Sequence, residues 1–174
     1  MCSDCNNSKS QPFDLSYDKL MDFLKINEDL IYQTRTFDLY NVFGENWKED
    51  TDNVMKYLIK HICCRLAESK IEITNDVINF LNGGEYPHLW KLHLIIESKK
   101  VEWIEQMKND KGWCGILSLT PLTGTVNQEN THWEHLIGSY NYRAYTFAYS
   151  YCYAYSQFSC NLTSRIVKFD FLKT

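Results

Sequence analysis

From residue 145 to residue 155 the chain alternates strictly between aromatic and small side chains. The odd positions are all Tyr or Phe, and the even positions between them are Thr, Ala, Ser or Cys. Because successive side chains of a strand point to opposite faces, this pattern predicts a strand with one face of rings and one nearly flat face. We call these rings the aromatic ladder: Tyr145, Phe147, Tyr149, Tyr151, Tyr153 and Tyr155.

Helical periodicity dominates the first half of the chain. Apolar residues recur at spacings of three and four after Ser16, which suits the N-cap of a first helix. A second helix, with an apolar stripe opposite charged positions, is predicted to open at Asp50 or Thr51. A short third helix is expected to end at the Gly83–Gly84 pair.

Beyond Pro87 the period changes to that of strands. Alternating apolar and polar positions over residues 90–97 predict a half-buried strand, and Ser98 is expected to cap a following helix. Gly138–Ser139 is predicted to be a turn and Arg143–Ala144 a bulge. Further strands are predicted at residues 113–120, 132–137, 142–158 and 166–172, and a loop at residues 121–130.

Helices followed by strands indicate an α+β fold, with N-terminal helices packed on a curved, mainly antiparallel C-terminal sheet. At 174 residues the chain is most simply one domain. We predict a flexible tail over residues 1–13 and a single α+β domain over 14–174. Its helical part covers about 14–84 and its sheet-rich part about 88–174.

Charge and cysteine content narrow the function classes. The formal net charge is −4 and the isoelectric point about 5.7, which gives no general attraction to nucleic acid or to an anionic membrane. The sequence has no run of about 18 apolar residues and no secretory signal at its start. Seven cysteines, an odd number, are most simply reduced thiols, so we expect a cytoplasmic protein.

A metal site is one hypothesis for the cysteines. Cys2 and Cys5 form a Cys-x2-Cys pair, while His61 and Cys64 lie three apart on one helix face. Together these four residues could supply a tetrahedral zinc shell. No second spaced pair completes a known zinc pattern, and such cysteines are more often free thiols or small buried residues. The expectation is therefore no cofactor, with zinc as the alternative.

Acid–base chemistry is a second hypothesis. His93 and Glu97 share one face of a predicted strand, and His132 and His135 lie in another. The step from Glu97 to Lys99 also resembles the Glu-x-Lys step of metal-dependent nucleases, although no suitable upstream Asp is evident. If the alternation places His93 and Glu97 toward solvent, they simply belong to a solvent-exposed face of the sheet. The alternative function is an enzyme with a pocket lined by His, Glu and Tyr, such as a metal-dependent hydrolase.

The aromatic ladder has three interpretations. Its rings could pack under the N-terminal helices, form a surface for a ligand or partner, or stack on nucleic acid. The first is preferred, and scarce nearby cations disfavour the third. Because Tyr is favoured at interfaces, the leading hypothesis for function is a small cytosolic, non-enzymatic binding protein. It would use aromatic surface for a protein partner or for self-association.

Overall fold

The chain begins with helices and continues mainly with strands, as the hydrophobic pattern predicts. The computed structural model of the protein describes residues 8–87, 90–107, 117–120, 123–126, 133–151, 162 and 164–172. Its helices are α1 (Gln11–Ile26), α2 (Glu28–Thr34), α3 (Leu39–Phe43), α4 (Trp47–Glu68), α5 (Asn75–Leu81) and α6 (Ser98–Met107). Its strands are β1 (Thr36–Asp38), β2 (Trp90–Glu97), β3 (Leu117–Leu119), β4 (Thr123–Val126), β5 (Trp133–Tyr142), β6 (Tyr145–Tyr151), β7 (Ile166–Lys168) and β8 (Asp170–Leu172). The fold is α+β, as predicted.

Both long helices begin earlier than predicted. Helix α1 starts at Gln11 with a proline in its first turn, where the fixed φ of proline suits a helix. It therefore includes the last part of the predicted tail, and Ser16 is not its N-cap. Instead the Ser16 hydroxyl donates to Asp50 Oδ1 at 2.6 Å and joins α1 to α4. Thr51 does not open α4 either, because the helix already begins at Trp47. The Thr51 hydroxyl donates to the carbonyl of Trp47, one turn earlier in the same helix, at 2.5 Å.

The main sheet has the strand order β3-β5-β6-β2-β8, with β4 paired beside β5. Strands β5, β6 and β2 are antiparallel neighbours, and β8 joins β2 in parallel. A separate pair is formed by β1 and β7. The sheet is thus mainly antiparallel, as predicted, and β6, which carries the first part of the aromatic ladder, lies near its centre.

The hairpin of β5 and β6 corrects one predicted turn and one predicted bulge. Strand β5 runs straight through Gly138, and the reversal occurs at Arg143–Ala144, where Arg143 has φ 55°. Gly138 lies opposite Tyr149, and a Cβ atom there would come within 2.5 Å of the Tyr149 hydroxyl. The glycine therefore leaves room for a ring and does not bend the chain. The predicted bulge is the actual turn.

Two further boundaries differ from the prediction. Strand β4 occupies part of the predicted loop over residues 121–130, because its Thr and Val positions pair with β5. The predicted strand 166–172 is divided at Phe169, whose amide donates to the carbonyl of Arg35 at 2.8 Å. That bond interrupts the strand at Phe169. The segment before it, β7, therefore pairs with β1, and the segment after it, β8, pairs with β2. Val167 and Phe169 are buried.

One hydrophobic core lies between the helices and one face of the sheet. The predicted stripe of α4 is confirmed, because each of its apolar members is buried. The members are Val54, Met55, Leu58, Ile59, Ile62 and Leu66. They face the apolar side of β2, formed by Trp90, Leu92, Leu94 and Ile96. Among the described helices, none combines the length and apolar character needed to cross a membrane.

Strand β2 is covered on both faces, whereas the sequence predicts a half-buried strand. His93 lies on the face opposite the core and is only 4% exposed. Helix α6 lies against this second face, because its Lys100 binds Glu97 and its Ile104 is fully buried. His93 is therefore not part of a solvent-exposed sheet face. The alternation of polar and apolar residues could not predict this, because a polar residue that faces solvent and one that a helix covers give the same sequence pattern.

Candidate functional site

The described part of the aromatic ladder is inside the protein. Tyr145, Phe147 and Tyr149 are 0%, 1% and 6% exposed, and their rings face the helices. The side chain of Tyr151 and the whole of Tyr153 and Tyr155 lie outside the described residues. A docking surface for another protein is therefore not formed by the first three rings in this fold. Any contact they make is with the interior or with a molecule that enters it.

The ring nearest the turn is fixed by the helical layer. The Tyr145 hydroxyl donates to the carbonyl of Leu24 at 3.0 Å. Leu24 is in the last turn of α1, where carbonyl groups lack partners within the helix. The ring also packs on Tyr32 and Phe169, with centroids 5.5 and 5.4 Å away. Burial raises the pKa of Tyr145 far above its usual value, so the residue stays a neutral phenol. Tyr145 is thus structural.

The other two rings line a cavity of about 210 Å³ between α4 and the sheet. One face of α4, with spacings of one, three and four residues, forms its roof, and β2, β5 and β6 form its floor. The lining from α4 is Tyr57, Leu58, His61, Ile62 and Arg65. The lining from the sheet is Leu92, Tyr140, Phe147 and Tyr149. The walls are mainly aromatic and aliphatic, with a few polar groups at defined points.

Arg65 supplies the charge in this lining. Its Nη1 donates to the Tyr149 hydroxyl at 2.7 Å, and its Nη2 donates to the carbonyl of Thr120 at 2.6 Å. In the described part of the chain, the ion pairs involve other cations, and Arg65 has no carboxylate partner. Burial raises the pKa of Tyr149, while Arg65 opposes that shift. The cavity therefore contains a guanidinium that neutral oxygens hold in place.

Two tyrosines of the lining, Tyr57 and Tyr140, pack against an aromatic ring outside it. Tyr17 of α1 stacks on Tyr57 with a centroid distance of 3.9 Å and meets Tyr140 edge-on at 6.2 Å. Tyr57 also packs on His61, which is exposed and marks the side of the cavity near solvent. Partial loss of solvent and the charge of Lys60 lower the pKa of His61. Its imidazole is therefore mainly neutral at pH 7.

A closed polar network lies on the other face of the sheet. Lys100 Nζ donates to Glu97 Oε1 at 2.5 Å, to Asn141 Oδ1 at 3.0 Å and to Thr146 Oγ1 at 3.1 Å. The Thr146 hydroxyl lies 2.6 Å from Glu97 Oε1. Burial disfavours ionisation of Glu97, yet the hydrogen bonds from Lys100 and Thr146 lower its pKa. These four side chains satisfy one another and fasten α6 to the sheet.

The predicted acid–base residues that the structure describes do not all converge on one site. His93 and Glu97 share the second face of β2, whereas His135 is exposed on β5. The register aligns His93 with Ser139 across two strand spacings, which puts the Cα atoms of His93 and His135 about 16 Å apart by standard strand geometry. His132 lies outside the described residues. The three described candidates are absent from the cavity lining.

The zinc hypothesis stays a prediction. His61 and Cys64 are both on α4, as predicted, but Cys2 and Cys5 lie outside the described residues. Within the residues that the structure describes, no group of three or more His, Cys, Asp or Glu side chains is placed to hold a metal ion. His61 instead packs on Tyr57 and lines the cavity.

Sequence reasoning did not select Arg65, although a signal for it was present. Leu58 and Ile62 belong to the apolar stripe of α4, and the same face continues to position 65. A cation that continues an apolar helix face points toward the interior and needs a partner there. Tyr57 and Tyr140 gave no comparable signal, because their positions depend on the packing of distant elements.

Comparison of the chain with protein-family models, with curated proteins and with solved structures found no match. The function of the cavity is therefore inferred from its own geometry and chemistry.

Proposed function

We propose that the protein is a non-enzymatic binding protein whose cavity between α4 and the sheet holds a small, largely apolar ligand. The observation that carries this proposal is the volume of about 210 Å³ between α4 and the rings of Phe147 and Tyr149. An apolar cavity of about 150 Å³ is large enough to bind benzene. The present volume therefore suits a ligand with one aromatic ring and a short substituent.

Packing energetics support an occupant. Protein interiors are close-packed, and unfilled cavity volume destabilises a fold by about 24 cal/mol per Å³. A ligand that fills the space recovers part of that free energy through contacts with Leu58, Ile62 and Leu92. The aromatic walls add favourable edge and face contacts for a ring.

Affinity for a neutral aromatic probe tests the proposal. We expect 2-phenylethanol to bind the wild-type protein and to perturb the amide resonances of residues around Ile62. Leu58→Phe places extra atoms inside the cavity and should weaken this binding at least tenfold. Leu30→Phe is the matched control, because Leu30 is 59% exposed on α2. No binding to wild type, or equal binding to the Leu58→Phe variant, would contradict the proposal, provided circular dichroism shows that the variant is folded.

Binding of a protein partner or of a second copy of the chain, outside the cavity, is the alternative within the same functional class. The observation in favour is exposed apolar surface away from the cavity: Ile26 is 80% and Trp103 51% exposed. Light scattering over a concentration series tests self-association. A constant monomer mass would argue against it, whereas a mass that rises toward twice the monomer value would support it. Consistent with the cysteine content, we propose a cytoplasmic location for either activity.

A further inference from the structure

We propose that the ligand carries a carboxylate, and that Arg65 and the Tyr149 hydroxyl bind this group at one end of the cavity. This inference rests on the proposed function and specifies the chemical class of the ligand. The hydrogen-bonding capacity that the two side chains retain, the charge of the lining and the cavity volume all favour such a ligand.

Arg65 has donors to spare. A guanidinium carries five N–H groups, and the two bonds to Tyr149 and Thr120 use two of them. Both acceptors are neutral, so the positive charge is not compensated by a carboxylate in the described part of the chain. A partly buried cation is costly without a counter-charge. An anionic ligand group would supply that charge and accept the remaining N–H groups.

Tyr149 adds a second donor at the same point. Its hydroxyl accepts from Arg65, so its own hydrogen is available to another acceptor. The ring is nearly buried, and the absence of a side chain at Gly138 gives the hydroxyl its space. Two adjacent donors, one of them charged, match the two oxygens of a carboxylate. Side-chain packing around the ring fixes this arrangement before a ligand arrives.

The rest of the lining argues for a single negative charge. Arg65 is the one cationic side chain in the described lining, because the other polar members are tyrosines and the mainly neutral His61. A phosphate dianion would need more positive charge than this. Phe147, Leu92 and Ile62 leave an apolar space for the body of the ligand. The site therefore suits a small aromatic monocarboxylate.

A matched pair of probes separates the contribution of the ligand's charge to affinity from the contribution of its ring. Phenylacetate and 2-phenylethanol have the same ring and the same chain length, but only the first is an anion at pH 7. We expect wild type to prefer phenylacetate by about tenfold in Kd, because hydrogen bonds to a charged group are stronger than those to a neutral one. Arg65→Gln should abolish the preference and leave the affinity for 2-phenylethanol nearly unchanged. Lys48→Gln, which removes an exposed charge from the same helix, should keep the preference.

The outcomes distinguish this inference from the proposed function. If neither probe binds wild type, the cavity proposal itself fails. If both probes bind equally well, or if Arg65→Gln retains the preference, the carboxylate inference is wrong and the binding cavity stands. Should Arg65→Gln fail to fold, Tyr149→Phe gives the same comparison, because it removes one donor and keeps the ring. That variant must then lower the affinity for phenylacetate more than the affinity for 2-phenylethanol.

Discussion

Arg143, in the turn between β5 and β6, donates two hydrogen bonds to the carboxylate of Glu28 in α2. Its Nε lies 2.6 Å from Oε2 and its Nη2 lies 2.8 Å from Oε1. The two side chains are only 12% and 11% exposed. This paired geometry is the strongest form of an arginine–carboxylate contact. It attaches the hairpin that carries the aromatic ladder to the helical layer above it.

Removal of one partner should be more harmful than removal of both. Arg143→Met leaves the nearly buried Glu28 carboxylate without its cation, and we expect a loss of about 3 kcal/mol in the free energy of unfolding. Glu28→Leu combined with Arg143→Met should recover most of that loss, because the nearly buried carboxylate is then removed together with its cation. Urea unfolding of the two single variants and the double variant gives the coupling energy. Additive effects would show that the pair is not coupled.

The local pattern predicted the elements of this fold better than it predicted their neighbours. Strict alternation from Tyr145 onward specified a strand, and the apolar stripe of α4 specified a helix with a buried face. Gly138 and Arg143 were assigned to the wrong structures because each has two local explanations. Gly138 is needed for a ring on the next strand, and Arg143 binds a residue 115 positions away. Information of that kind is not in the local sequence.

The candidate site was less predictable for the same reason. Phe147 and Tyr149 are predicted site residues because they belong to the aromatic ladder, and His61 is predicted for a different reason, as a metal ligand. Arg65 and Tyr140 come from separate parts of the chain and meet only after α4 has packed on the sheet. A cavity is a property of the space between elements. Periodicity can indicate which face is buried, but it does not show where that face is incompletely filled.

The hydrogen bond from Tyr145 to α1 gives a second prediction. Tyr145→Phe removes the donor and leaves the Leu24 carbonyl without it in the buried last turn of the helix. We expect a loss of about 1–2 kcal/mol in the free energy of unfolding, since a buried acceptor loses its partner. Tyr40→Phe is the control, because it removes a hydroxyl from a tyrosine that is 42% exposed. Equal losses for the two variants would contradict the role of Tyr145 as a cap.

The approach of Tyr149 to Gly138 gives a third prediction. Gly138→Ala would put Cβ 2.5 Å from the hydroxyl oxygen and 2.6 Å from Cζ of a ring that Arg65 holds in place. We expect a loss of about 1–3 kcal/mol, as for other overpacked positions. Tyr149→Leu should offset part of that loss in the double variant, because the smaller side chain leaves room. Thermal unfolding of the four proteins tests the coupling. Ile137→Ala is the control on the same strand, and its exposed side chain predicts a much smaller change.

The burial of His93 gives a prediction about pH. Desolvation lowers its pKa, Asp170 opposes this effect, and Lys91 adds to it. The native protein therefore binds fewer protons than the unfolded chain just below the unfolded pKa of about 6.5. Stability from this group is fully present above that pH, and it is lost as the pH falls toward the lowered native pKa.

His93→Leu should thus flatten the dependence of unfolding free energy on pH between about 7 and 5. His61 also has a lowered pKa, so a smaller slope should persist in this variant and decrease further when His61→Gln is added. Glu97 does not interfere, because its lowered pKa affects stability only below the usual carboxyl range. Urea unfolding at several pH values above 5 makes the measurement. If wild type and His93→Leu lose stability in parallel over this range, the imidazole of His93 is not the group that titrates, and the second layer does not keep it neutral.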